Sequence, residues 1–168
     1  MMYDVIASYV LKLKNDFDIY ILSNDTDFMQ LVEKNVKVFV YRGKKSIIYD
    51  DAAVFDKYGV SPQYFADYKS LVGDSSDNIR GIKGIGPKTA KNLIDRFGHI
   101  EDIVSSVDSI ENSSIKSQII NNTDVLFSNL KLIKLSKSTA MPYEIDALRF
   151  YDYDSYKTMD ILKEINLM

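Results

Sequence analysis

The chain has 168 residues, 46% of them apolar, a formal net charge of −3 and no cysteine. That length and apolar fraction support one sizeable core, or one core with a small satellite, and argue against disorder. Without cysteine there are no disulfides, cysteine zinc sites or thiol chemistry, and no run of about eighteen apolar residues or signal-like N-terminus marks a membrane or export segment, so a cytoplasmic location is expected.

In chain order, Asp4 to Leu13 carries Val5, Ile6, Tyr9, Val10 and Leu13, the spacing of an amphipathic helix. Ile19 to Ser23 is a short, almost wholly apolar run that predicts a strand buried on both faces. At its end stand Asn24, Asp25, Thr26 and Asp27, then Phe28, Leu31 and Val32 on a helix. Ligands of open α/β sheets gather beyond the carboxyl ends of strands, where Asp25 and Asp27 fall. The alternative is that Asp25 caps the helix and Asp27 sits in its first turn.

Val36 to Tyr41 and Ser46 to Tyr49 read as a β-hairpin with Arg42-Gly43-Lys44-Lys45 as a four-residue loop. Asp51 to Tyr58 reads as a helix stopped by Gly59, and Ser61-Pro62 starts another through Tyr64, Phe65, Tyr68 and Leu71. Beyond the central motif, a helix from Pro87 to about Phe97 buries Ala90, Leu93, Ile94 and Phe97 and stops at Gly98; His99 is a cap or surface residue. Ser113 to Asn121 and Asp124 to Leu130 read as two more helices, Lys131 to Leu135 as a short extended piece and Tyr156 to Leu167 as a closing helix. The tyrosines at 143, 151, 153 and 156 are too irregular for a base-stacking platform.

The stretch from Gly73 to Ala90 organises the rest. Asp74 and Asp77, three apart, project to one side of a helical turn or tight loop, and two such carboxylates invite a hard cation such as Mg²⁺ or Mn²⁺. A helix cap at Asp74 and Ser75 is the alternative. Gly81, Gly84 and Gly86 permit positive φ and close approach, and Pro87 opens a helix whose free amides, with Lys88, suit a phosphate. From Asn78 to Phe97 five basic residues, Arg80, Lys83, Lys88, Lys91 and Arg96, face one acid, Asp95; from Pro142 to Met168 the balance is −3. An acidic chain with a basic middle points to a polyanion at that middle.

Gly73-Asp74-Ser75-Ser76-Asp77-Asn78-Ile79-Arg80-Gly81-Ile82-Lys83-Gly84-Ile85-Gly86-Pro87-Lys88-Thr89-Ala90 resembles the signature of the flap endonuclease and 5′-3′ exonuclease family, and Ser23-Asn24-Asp25-Thr26-Asp27-Phe28 resembles its Ser-x-Asp-x-Asp-Phe motif. The resemblance implies that Asp25, Asp27, Asp74 and Asp77 hold a catalytic Mg²⁺ or Mn²⁺, with Asp4 standing behind them. It also implies a helix-three-turn-helix module gripping DNA through Arg80, Lys83, Gly84, Gly86, Lys88, Thr89 and Lys91, with a potassium ion on the carbonyls of Ile82 and Ile85. It runs from about Asp4 to Leu135 and matches only the later part of a family member. Of the family's Glu-Ala-Asp-Asp segment only Asp4 is kept; Met1 and Tyr3 stand at its Glu and first Asp.

The fold expected is α/β and mostly helical, with a small, partial Rossmann-like sheet. It divides into a partial nuclease core (1–60), the helix-three-turn-helix region (61–135) and a packing segment (136–168). The function expected is structure-selective binding of branched or 5′-ended duplex DNA as the C-terminal part of a 5′ nuclease, in DNA replication or repair. Hydrolysis would be completed by a separate N-terminal polypeptide or a homo-oligomer, because two-metal hydrolysis needs more carboxylates than remain here. Loss of the leading strands should expose the flank of Ile19 to Ser23. The rival readings are a non-catalytic DNA-binding protein, a weak stand-alone nuclease and a helix-hairpin-helix module indifferent to divalent metal.

Overall fold

The computed structural model describes residues 2–148 together with Asp160, Lys163 and Glu164. Most of the expected closing helix of Tyr156 to Leu167, the tyrosines at 151, 153 and 156, and most of the acidic final stretch therefore lie outside the described residues.

Helix α1 (Met2–Leu13) has Asp4 in its first turn and Lys12 in its last, each on the favourable end of the helix dipole, and buries Ala7 and Val10. Strand β1 (Ile19–Leu22) runs parallel to β2 (Val36–Val40), Ile21 opposite Val38 and Leu22 opposite Phe39; β2 runs antiparallel to β3 (Ile47–Tyr49), Val38 opposite Tyr49. Because paired residues share a face, Ile21, Val36, Val38, Val40 and Tyr49 form one buried face. It packs on Ala7, Val10, Phe28, Met29, Val54 and Phe65.

That layering corrects the expectation of a strand buried on both faces. Among the described residues helices cover one side of the sheet only, so Ile21 is buried while Tyr20 is 56% and Leu22 69% exposed. The hairpin loop is also longer than the expected four residues, spanning 41–46. Gly43 takes φ 59° there, and the Ser46 hydroxyl donates to the Gly43 carbonyl and accepts from the Arg42 amide, closing a wider turn.

Helix α2 (Asp51–Tyr58) starts where the Asp50 carboxylate accepts the Ala53 amide and stops at Gly59, φ 75°, as the sequence predicts. After a 3₁₀ turn at Pro62–Tyr64, helix α3 (Phe65–Val72) is buried at seven consecutive residues, Phe65 to Leu71. It is the wall between two cores: Phe65 joins the sheet core, while Ala66, Tyr68 and Leu71 join a second core with residues of the helices that follow. Helices of this kind have no solvent face, so polar residues on them must find partners.

A two-stranded ribbon, β4 (Gly73–Asp74) and β5 (Ile79–Arg80), leads to α4 (Pro87–Phe97). Helix α5 (Ile100–Ser105) was not expected. Its start is capped in three dimensions, the buried Asp67 carboxylate of α3 accepting the Ile100 amide at 2.9 Å. Helix α6 (Ser113–Asn121) is capped by Asn112, and α7 (Thr123–Ile133) buries Leu126, Asn129, Leu130 and Ile133. Lys131 to Ile133 is thus helical rather than extended, because Leu130 and Ile133 continue the stripe packed in the second core. Gln30 then holds the chain, donating to the Ile133 carbonyl at 3.0 Å and accepting the Leu135 amide at 2.9 Å. Residues 136–144 pass along α1, their amides bonded to Asp4, Ser8 and Tyr9. Among the described residues no helix is long and apolar enough to cross a membrane.

Candidate metal centre and phosphate-binding turn

Strand β1 ends at Leu22, and the chain turns immediately into a 3₁₀ helix, Thr26–Leu31. Asp25 is its N-cap: its carboxylate accepts the Asp27 amide at 2.8 Å, and its own amide donates to Ser23 Oγ. The structure places both residues as the cap reading has them, Asp25 at the N-cap and Asp27 in the first turn. Asp25 caps, and Asp27, buried, is turned inward.

The second pair of carboxylates sits on the ribbon. Asp74 closes β4 opposite Ile79, and its carboxylate accepts from the Ser76 amide at 2.9 Å and from the Ser76 hydroxyl. Asn78 takes φ 57°, a left-handed conformation that asparagine tolerates, so the chain reverses within four residues. Asp74 and Asp77 therefore share a side through a hairpin and not through a helical turn. At the base of the ribbon a Cβ on Gly81 would lie 2.2 Å from the Val72 carbonyl oxygen, so Gly81 allows backbone contact inside the molecule. This corrects the role expected for Gly81 and Gly86: of the three glycines expected to take positive φ only Gly84 does, at 83°, and Gly86 is extended at −92°.

One carboxylate oxygen from each of Asp27, Asp74 and Asp77 lies within 4.8 Å of the other two. The set grades from buried Asp27 through half-buried Asp74 to exposed Asp77. Into it projects Lys69 of α3, 5% exposed, whose ammonium contacts both Asp27 and Asp74 and lies 3.4 Å from Thr26 Oγ1. Burial alone would raise Asp74, but hydrogen bonds from Lys69 and Ser76 and the Lys69 charge outweigh it and hold the carboxyl at about 2. Burial raises Asp27 despite Lys69, with the Asp25 and Asp77 charges adding to it. Asp77 is raised by burial and then by the charge of Asp74. Burial works to lower Lys69, yet its bonds to the two carboxylates keep it above an ordinary lysine.

Lys69 was missed by the sequence reading. Its signal was available: a lysine between Tyr68 and Leu71 on a helix running straight into two aspartates has an acid as its natural partner. Asp4, expected behind the ligands, accepts the Ser136 amide at 2.8 Å, so it ties α1 to the segment that follows α7. Tyr3 lies closer: its ring packs edge-on against Phe28 at 5.1 Å, and hydrogen bonding to Asp25, then the Asp25 charge, raises its hydroxyl.

The basic turn is anchored from below. Ile82 and Ile85 are buried, the Ile82 amide donates to the Leu71 carbonyl at 2.9 Å, and the Ile85 amide donates to the Ile82 carbonyl at 3.0 Å. The Ile82 carbonyl, one of the two expected to hold potassium, thus already accepts a hydrogen bond. Lys83, Gly84, Gly86 and Lys88 stand exposed above, Gly86 as the N-cap and Pro87 at the first position of α4. The first amides of α4 and the positive end of its dipole face the same space. Thr89 is half-buried and Arg80 exposed. Lys91 departs from the group: its ammonium pairs with Asp95 four residues on, and its stem lies against Gly59. Lys83 and Lys88 have no ion-pair partner among the described residues.

A further link ties the ribbon to α3 and was not read from sequence. Buried Asn129 of α7 donates to the Ser70 carbonyl at 3.1 Å and the Arg80 carbonyl at 2.9 Å, fixing the ribbon to α3. His99 is exposed and stands at the N-cap of α5, as the cap or surface reading has it, and its Nδ1 lies 2.9 Å from Asp67.

A sequence profile described as 5′-3′ exonuclease, C-terminal SAM fold, matches residues 60–156, more than half of the chain. The chain is 35% identical over 167 residues to the DNA polymerase I of Caldicellulosiruptor bescii, covering 96% of this chain and 20% of the polymerase. To the 5′-3′ exonuclease of Buchnera aphidicola it is 32% identical over 167 residues, covering 95% of this chain and 58% of the exonuclease. A crystal structure of the bacteriophage T5 flap endonuclease, solved with DNA and metal ions, matches with a TM-score of 0.68 and 27% identity over 77% of this chain and 48% of that one. The chain thus spans about a fifth of the polymerase and less than two thirds of the exonuclease it matches.

Proposed function

The chain belongs to the 5′-3′ exonuclease family, and we propose that it grips the sugar-phosphate backbone of branched or 5′-ended DNA beside a divalent-ion site, as the C-terminal part of a phosphodiester-cleaving centre. One observation carries this reading: Asp74 and Asp77 lie on a ribbon that continues without a break into the turn of Lys83, Gly84, Gly86 and Lys88. A phosphate held at that turn belongs to a strand passing close to the carboxylates.

The donor set fits Mg²⁺ or Mn²⁺, being three hard anionic oxygens with no nitrogen or sulfur. Such an ion supplies an activated water or stabilises the leaving oxygen of the cleaved phosphodiester. Asp27, Asp74 and Asp77 would hold it. Lys69 balances two of these charges from below, so the cluster persists at neutral pH without all three carboxylates repelling freely. The turn amides and the lysines at 83 and 88 hold phosphate oxygens, contacts that fix position without reading bases. Hydrolysis by a pair of ions needs further carboxylates, and we assign these to the part of the family's sequence that this chain does not match.

A second reading, DNA binding without cleavage, is favoured by Tyr3 and Asp4. The first presents a phenol to Asp25, and the second is committed to Ser136. The test is a labelled 5′-flap substrate incubated with the chain in Mn²⁺, scoring bound and cut DNA, with Asp77→Ala as control. Cutting that Asp77→Ala abolishes supports a self-sufficient centre. Binding without cutting supports an incomplete one, and no binding overturns the proposal.

A further inference from the structure

At the start of α3, away from the acidic cluster, the surface opens into a groove of about 870 Å³, within the range of about 300–1,000 Å³ for small-ligand sites. Topology fixes its place. Asp25 and Asp27 follow the end of β1, whereas Gln30 to Lys34, which line the groove, lead into the start of the parallel strand β2. Groove and cluster therefore stand at opposite ends of the sheet. Neither the carboxylates at 27, 74 and 77 nor the lysines at 83 and 88 line it, so the centre described above makes no use of it.

The floor is apolar and buried, formed by Leu31, Val32, Pro62 and Ala66. The rim is cationic. Lys14 is paired with Glu33 at 2.9 Å, but Lys34, Lys134 and Lys137 are exposed and have no ion-pair partner among the described residues. Against these three the lining sets one unpaired carboxylate, Asp51. A fixed imidazole completes the lining. Asp67, its side chain 4% exposed, accepts the Ile100 amide through Oδ1 and holds His99 Nδ1 at 2.9 Å through Oδ2, while the His99 ring packs on Tyr64 at 4.8 Å. Two contacts thus orient the ring. Its Nε2, on the side away from Asp67, has no hydrogen-bond partner among the described residues, and a carboxylate on Nδ1 leaves Nε2 as the nitrogen for a ligand.

Three unpaired ammonium groups and an oriented imidazole suit an oxyanion, and phosphate monoesters take such charge-assisted bonds well. Inorganic phosphate would leave the apolar floor bare. A phosphate joined to a flat ring uses both parts of the groove. We infer that the groove binds a nucleoside monophosphate, its phosphate held by the rim lysines and His99 and its base laid over Leu31 and Pro62. The choice of a nucleotide among phosphate monoesters rests on the family reading above, since an exonuclease that shortens DNA releases nucleotides beside itself.

The experiment titrates the chain with 2′-deoxyadenosine 5′-monophosphate in EDTA without DNA, following backbone amides by NMR. Saturable shifts are expected at Lys34, His99 and Leu135 and not at Asp74, Asp77 or Gly84, with a dissociation constant of about 0.1–1 mM. Deoxyadenosine and inorganic phosphate each carry half of the ligand and should bind at least about tenfold more weakly. The double variant Lys134→Ala/Lys137→Ala, altered at exposed positions, should keep its melting temperature and weaken the nucleotide by roughly tenfold. His99→Gln is the independent second variant and should also weaken it, whereas Lys88→Ala should leave it unchanged. The inference is overturned by absence of saturable shifts at about 10 mM, by shifts centred on Lys83 to Lys88 and lost in Lys88→Ala, by equal binding of deoxyadenosine or inorganic phosphate, or by binding indifferent to both groove variants. A chain that binds the nucleotide but no DNA overturns the proposed function and not this site.

Discussion

Replacing Lys69 by methionine keeps the length of the stem and removes the charge that Asp27 and Asp74 share. Lys69 is 5% exposed and Asp27 9%, so the two carboxylates left behind have little water to replace the lost ammonium. Removing one member of a buried pair typically costs about 3–5 kcal/mol, and each kcal/mol lowers the melting temperature of a chain this size by about 2–4 °C. In EDTA at pH 7, Lys69→Met should therefore melt about 6–20 °C below the unaltered chain. A divalent ion restores the missing positive charge, and a site filled at about a hundred times its dissociation constant contributes about 2.7 kcal/mol. Mn²⁺ should accordingly recover much of the loss, and raise the melting temperature of Lys69→Met more than that of the unaltered chain, where the ion competes with the ammonium. The assay is thermal unfolding by circular dichroism across an Mn²⁺ titration. Equal melting of the two proteins in EDTA, or an equal response to Mn²⁺, would refute the placement of Lys69 in the acidic cluster.

Three further outcomes follow from the same geometry. Lys88 is exposed beside the first amides of α4, so Lys88→Ala should reduce the salt slope of DNA binding by about one, read from affinities across a chloride series; Lys91→Ala, whose ammonium already pairs with Asp95, should change it less. Gly81→Ala places a methyl against the Val72 carbonyl and should cost several kcal/mol or displace the ribbon, seen as a lower urea midpoint together with weaker Mn²⁺ binding. In acid, Asp74 contributes stability that is complete above its ordinary value of 3.8 and is lost as pH falls through about 2. Urea melts of Asp74→Asn should lack that acid limb, while Asp27 and Asp77, both raised, act in the opposite sense, gaining on protonation.

Local signals in the chain marked most elements and both chemical motifs. The stop of α2 at Gly59 and the bounds of α4 at Pro87 and Gly98 were legible, since each of these residues acts on backbone close by, whereas the Asp50 cap and the β4–β5 ribbon were not read. The departures arise where a partner is distant in sequence. Helix α5 is capped by Asp67, the end of α7 is held by Gln30, and Asp4 is claimed by Ser136. The strand at Ile19 looked buried on both sides because apolar content does not record which neighbours are present.

By itself, then, the sequence determined the kinds of chemistry available: hard carboxylates at the end of one strand and on one short segment, a glycine-proline turn opening a helix, and lysines above it. Their identity and short-range spacing suffice for that, since capping, turn formation and charge are local properties. Only the tertiary structure decided how they are used. It brought Asp27 to Asp74 and Asp77 across more than forty residues, set Lys69 between them, spent Asp25 on a cap and Asp4 on a tether, and joined ribbon to helix through Asn129. Those outcomes depend on α3 having no face left to solvent, so that each polar group on it or beside it had to find its partner from another part of the chain.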